Sequence, residues 1–105
     1  MVKHIKHFAN FCEHSEECSD FFQILSDKTR QEIIMLFSTK KEMGVTEITA
    51  NFTLSRPTIS HHLNLMRRAK FLISRKEGKE VFYSLNKEFV INLMESILQS
   101  FRDCS

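Results

Sequence analysis

A chain of 105 residues, 42% of them hydrophobic, holds one domain, or one domain with an added terminal helix, and its modest core gains from burying a face against a second copy. No apolar run approaches the roughly 20 residues of a membrane span, and the opening MVKHIKHF lacks the apolar centre of a secretion signal, so a soluble cytoplasmic protein without a membrane partner is expected. The net charge of +2 conceals a basic centre: residues 21–85 carry eleven cations against six acids, and residues 55–79 carry seven against Glu77 alone, a density suited equally to a solvated face and to nucleic acid.

With one proline, Pro57, and two glycines, Gly44 and Gly78, the chain is expected to be mostly helical and interrupted at few places. Residues 1–15 are taken as an N-terminal extension and 16–105 as the folded domain. In EECSDFFQIL, Phe21, Phe22 and Leu25 recur at helical spacing. Asp27 is placed to cap a second helix, whose core face is Ile33, Ile34 and Phe37 with Leu36 beside it. A turn over Lys40, Lys41 and Gly44 leads to a short helix opened by Thr46, with Ile48 and Phe52 inward. Ser55 offers an N-cap and Pro57 a first-turn proline for a longer helix running to about Ala69. LISRKEGKEVFYSL then reads as a β-hairpin turning at Gly78. From Asn86 a last helix carries Val90, Leu93, Met94, Ile97, Leu98 and Phe101 in a stripe wide enough to cover a partner helix. A short helix turned sharply into a longer one, then a hairpin, is the order of a winged helix-turn-helix: mainly α with a small β-hairpin.

The longer helix divides into two faces. Ile59, His62, Leu63 and Met66 share the core side, which makes His62 a packed histidine with one satisfied nitrogen. Pro57, Ser60, His61, Asn64 and Arg68 lie on the other side, with Arg56 and Thr58 at the exposed first turn. In a major groove Arg56 is the residue suited to a bidentate contact with guanine, Ser60 and His61 are shorter readers, and Thr58 with the helix N-terminus suits phosphate. His61 and His62 point roughly 100° apart, so they do not share one metal readily. For His61 an ordinary surface role stands beside DNA contact.

LSDKTRQEIIMLF, VTEITANFTLSRPTISHHLNLMRRAKFL and RKEGKEVFYSL together resemble the ArsR-type (ArsR/SmtB) winged-helix repressors. Asp27 and Arg30 match the family's "D-x-x-R"; Ser60, His62 and Leu63, with Met66 for the last leucine, match its "S-x-H-L-x-x-L"; Arg75 or Lys76, Gly78, Tyr83 and Leu85 match its wing. The resemblance spans about residues 20–100. It implies a homodimeric, cytoplasmic transcriptional repressor that binds an imperfect DNA palindrome and leaves it on a signal. It also implies dimerisation through the first and last helices, with residues 86–105 as the dimerisation helix and Phe21, Leu25, Val90, Leu93, Met94, Ile97 and Phe101 at the interface. Ser55, Arg56, Thr58, Ser60, His61 and Asn64 fall on the DNA side, and Arg75, Lys76 and Lys79 on the wing. The family's "C-x-C" metalloid thiols are replaced by Gly44 and Thr46. Its zinc pairs on the last helix are lost at Lys87, Phe89 and Ser100. Lys70 stands where a glycine usually follows the recognition helix and is expected to take the left-handed turn or to end the helix differently.

For the signal, Cys12, Cys18, Cys104, His7 and His14 remain. The odd cysteine count is no disulfide framework, and thiols are the default in a reducing compartment. Three readings stay open: ordinary thiols and surface histidines, a thiol switch joining Cys12 or Cys18 to Cys104, and a soft metal ion held by Cys and His at the termini. Against the DNA-binding reading stands a winged-helix module that assembles with proteins and reads no DNA. No phosphate loop, nucleophile elbow or paired carboxylates support an enzyme.

Overall fold

The computed structural model describes residues 15–104. Helix α1 (Ser15–Leu25) turns directly into α2 (Lys28–Leu36). Asp27 caps α2 as its position predicts, with an extended backbone and its carboxylate accepting the Arg30 N–H at 3.0 Å. The end of α1 has no basic residue of its own. Arg30 supplies the missing donors from α2, giving Nε to the Ile24 carbonyl at 3.2 Å and Nη2 to the Gln23 carbonyl at 2.8 Å. Arg30 is thus a buried charge whose Nε and Nη2 each reach a helix-end carbonyl.

A three-residue strand, β1 (Glu42–Gly44), occupies what the sequence suggests is only a turn. It pairs antiparallel with β3 (Glu80–Leu85), Met43 facing Tyr83, while β3 pairs on its other side with β2 (Leu72–Glu77), giving the order β1-β3-β2. Three residues are too few for alternation to announce a strand; partner and burial decide it, since Met43 enters the core at 4% exposure. The hairpin turns at Gly78, whose φ of +61° suits glycine.

Helix α3 (Val45–Thr49) begins one residue earlier than Thr46 suggests, with Gly44 as an N-cap that has no side chain to offer. Helix α4 (Arg56–Arg68) follows, capped by the Ser55 hydroxyl accepting the Thr58 N–H, with proline in its first turn. Its C-terminus closes with Phe71 N–H on the Met66 carbonyl at 2.9 Å and Lys70 N–H on the Arg67 carbonyl at 3.0 Å. Lys70 takes the left-handed turn at φ 68°, and Asn86 donates its side-chain amide to the Lys70 carbonyl.

The core sits where these elements meet: Ile33 of α2, Ile48 of α3, Ile59, Leu63 and Met66 of α4, and Phe71 are all essentially inaccessible. Each such side chain contributes about 1.5–3 kcal/mol by leaving water. Phe71 stacks on Phe21 of α1, ring centroids 5.5 Å apart.

Helix α5 (Lys87–Asp103) and α1 together line an apolar groove of about 530 Å³, with Phe21, Leu25, Met94, Ile97, Leu98 and Phe101 among its walls. The phase of α5 divides the expected interface residues between two faces. Phe21 and Ile97 are buried within the chain, and Leu25, Val90 and Leu93 pack against its core. The outward row is Ile91, Met94, Leu98 and Phe101, with Phe22 exposed on α1. A wide apolar stripe contains both faces, and only packing tells which one the chain covers itself.

Candidate nucleic-acid interface

The geometry of α4 follows from its two faces. Ile59, Leu63 and Met66 anchor it in the core, and His62 joins them with its side chain 14% exposed. His62 Nδ1 lies 3.2 Å from Arg30 Nη1 and 3.9 Å from Asp27 Oδ2. Arginine only donates, so Nδ1 accepts and the imidazole proton sits on Nε2. Burial is the main cause holding the His62 pKa below its ordinary value; Asp27 opposes the shift, and Arg30 and His61 add to it. One polar network therefore fixes α1, the start of α2 and the inner face of α4 against each other.

On the outer side, Ser55, Arg56, Thr58, His61, Asn64 and Arg68 are exposed and Ser60 is half-buried. Ser55 Oγ and Thr58 Oγ1 are 2.9 Å apart at the first turn. Asn64 Oδ1 accepts from Arg67 Nη2 at 2.9 Å. Arg56 is the exception to a loose polar face: Nη1 donates to Thr46 Oγ1 at 2.8 Å, and Nη2 reaches Glu80 Oε1 at 3.3 Å. The hydroxyl of Thr46, and after it its backbone N–H and Arg56, hold the Glu80 carboxyl below the usual carboxylate range.

On the wing, Lys76 and Lys79 are exposed. Arg75, also exposed, is engaged across the sheet surface: Nε and Nη2 fork onto the Glu42 carboxylate at 2.7 and 2.8 Å, Nη1 lies 3.4 Å from Glu77, and the guanidinium covers the Phe82 ring at 4.8 Å. The hydrogen bond from Arg75 is the main cause lowering the Glu42 pKa, and Glu42 raises that of Arg75. Arg75 thus braces β2 across β3 to β1. The sequence could not indicate this, because Glu42 is 33 residues away and its strand has no periodic signature.

Of the sensor candidates, His7, Cys12 and His14 lie outside the described residues. Cys18 is buried on α1 and disulfide-bonded, and Cys104 is a free, half-buried thiol. Among the described residues there is no group of three His, Cys, Asp or Glu able to hold a metal ion, and no helix long and apolar enough to cross a membrane. Gly44 and Thr46, at the positions of the family's thiols, serve another arrangement: a Cβ on Gly44 would stand 3.2 Å from Glu80 Oε2 and 3.3 Å from the Phe82 ring.

A core-anchored helix with a polar outer face, preceded by a short helix and flanked by a two-stranded wing, defines a winged helix-turn-helix protein. Comparison with known proteins carries this further. Residues 27–74 match the family model described as bacterial regulatory protein, arsR family. The chain is 35% identical over 68 residues to the transcriptional repressor SdpR of Bacillus subtilis, covering 65% of this chain and 74% of that protein. It is 37% identical over 87 residues to the cadmium resistance transcriptional regulatory protein CadC of Listeria innocua, covering 83% and 71% respectively. A crystal structure of an ArsR family transcriptional regulator superposes with a TM-score of 0.76 at 21% identity, covering 85% of this chain and 90% of the other, a likeness of fold. The chain belongs to the ArsR family and is a DNA-binding transcriptional regulator, not an enzyme.

Proposed function

We propose that two copies of this chain, joined along α1 and α5, form a transcriptional repressor that lays α4 of each copy in successive major grooves of an imperfect palindrome. Lys76 and Lys79 of each wing meet the flanking phosphates. The observation that carries this reading is the division of α4: three apolar anchors inward, and Ser55, Thr58, His61, Asn64 and Arg68 exposed outward. A module built for protein assembly would instead expose apolar residues there. The exposed row Ile91, Met94, Leu98 and Phe101, all lining the groove that Phe21 and Leu25 of α1 also line, supports self-association through these helices.

For release from DNA, the proposed signal is a change in thiol state at Cys18, supported by its disulfide. A soft metal at the terminal Cys and His residues is the second reading, supported by the cadmium-resistance role in the name of the Listeria relative.

The test is binding to a duplex selected by the protein from a random library, measured across salt with and without a thiol reductant. Log affinity should fall linearly with log salt, by about 0.9 for each phosphate neutralised, and the reductant should change affinity in the wild type but not in Cys18→Ser. A salt-independent affinity favours the assembly module. A response to cadmium and none to reductant moves the signal to the metal reading.

A further inference from the structure

Arg56 is the outward cation at the start of α4, yet in the unbound protein it is held by α3 and the wing. Thr46 Oγ1 accepts from Nη1 at 2.8 Å and Glu80 Oε1 from Nη2 at 3.3 Å. Three elements that must sit in fixed relation on DNA (the short helix, the recognition helix and the wing) meet at this one guanidinium. The backbone of Gly44 runs close beside this pair: a Cβ there would stand 3.2 Å from Glu80 Oε2, and the carboxylate would have to shift by a few tenths of an ångström. Glu47 on Lys40, Glu17 on Lys70, and Glu42 and Glu77 on Arg75 also hold basic residues, but these three cations lie outside the first turn of α4. Glu80 alone among the described acids ion-pairs with a residue of the outward first turn of α4.

Resting on the DNA-reading function above, we propose that Glu80 is a specificity-determining residue: its carboxylate keeps Arg56 from bonding phosphate indiscriminately and yields it only to a partner that takes two of its N–H groups together, as the O6 and N7 edge of guanine does. An ion pair as exposed as this one, with side chains 52% and 30% accessible, is weak. A bidentate base contact outcompetes it. A single phosphate contact, screened by salt and opposed by the carboxylate's own charge, gains little over it. Glu80 therefore penalises non-specific DNA more than the matching site.

The experiment measures wild type, Glu80→Gln, Glu80→Asp, Arg56→Ala and the double variant Arg56→Ala/Glu80→Gln by fluorescence anisotropy. Two probes are used across salt: a duplex selected by the wild type from a random library, and an unselected random duplex. Thermal melts confirm folding, and Glu80→Asp serves should Glu80→Gln fail to fold. Glu80→Gln removes the charge, whereas Glu80→Asp keeps it but withdraws it from reach of Arg56. Both should tighten random-duplex binding several-fold, steepen its salt slope by about 0.9 for one added phosphate, and lower the selected-to-random ratio. Against Arg56→Ala the Glu80→Gln change should do none of this. Overturning results are Glu80→Asp matching wild type, or the double variant gaining as much over Arg56→Ala as Glu80→Gln gains over wild type; either reduces Glu80 to a distant charge. A wild type that binds both probes alike sinks the sequence-reading function itself. A discriminating wild type whose ratio Glu80→Gln leaves untouched sinks the role of Glu80 only.

Discussion

His62 illustrates how one side chain ties folding to proton concentration. Its Nδ1 accepts from Arg30, and the buried ring favours the neutral form, so its folded pKa lies below the ordinary value. Between that depressed pKa and about 6.5 the unfolded chain binds more protons than the folded one, so stability rises with pH across this window and is lost as pH falls through it. Asp27, whose pKa is lowered chiefly by the Arg30 backbone N–H, loses its contribution only at lower pH, as the carboxylate protonates. Urea unfolding should therefore show stability declining as pH falls below about 7. His62→Asn, which keeps an acceptor near Nδ1 and cannot titrate, should flatten that decline. An equally steep decline in His62→Asn would place the titrating group elsewhere.

At the scale of elements, helix ends and the sheet edge are closed by residues remote in sequence. Arg30 serves the carbonyls ending α1, Asn86 serves the Lys70 carbonyl after α4, and Glu42 fixes β2 through Arg75. The wing then contains two kinds of cation. Lys76, Lys79 and Arg75 are all exposed, but Arg75 is forked onto Glu42 and lies over Phe82. Lys76→Ala or Lys79→Ala should reduce the salt slope of DNA binding by about 0.9, the share of one neutralised phosphate. Arg75→Ala should leave the slope unchanged and speed hydrogen exchange at the amides of β2 and β3. A slope reduced by Arg75→Ala as much as by Lys76→Ala would mean that Arg75 leaves Glu42 for phosphate on binding.

For the whole molecule, the decisive feature is an apolar surface that one chain leaves uncovered. Met94 is 51% exposed, Leu98 48% and Phe101 64%, beside a groove reaching Phe21, while Ile97 on the same helix is 8% exposed. Charge introduced on the two sides should thus have different outcomes. Met94→Glu or Leu98→Glu should give a monomer with native circular dichroism and weakened operator binding, because two linked recognition helices bind far better than one. Ile97→Glu should unfold the chain, since it buries a charge without a partner. Light scattering distinguishes these outcomes, and a Leu98→Glu protein that remains dimeric would move the interface to another face.

Much of this architecture is written in local sequence. Asp27 and Ser55 mark helix starts, Pro57 fits a first turn, Gly78 makes the hairpin, and Ile59, His62, Leu63 and Met66 repeat at helical spacing; these signals act over one or two turns of chain, so they determined the winged-helix order and both faces of α4. The tertiary structure decided what depends on distant partners. It made a strand of Glu42–Gly44 because β3 lies beside it, turned the inner half of the α5 stripe into core, and placed Arg75 on Glu42 and Arg56 on Glu80. Side-chain periodicity shows which residues share a face, but a salt bridge or a covered face exists only once the chain has brought its second half into contact.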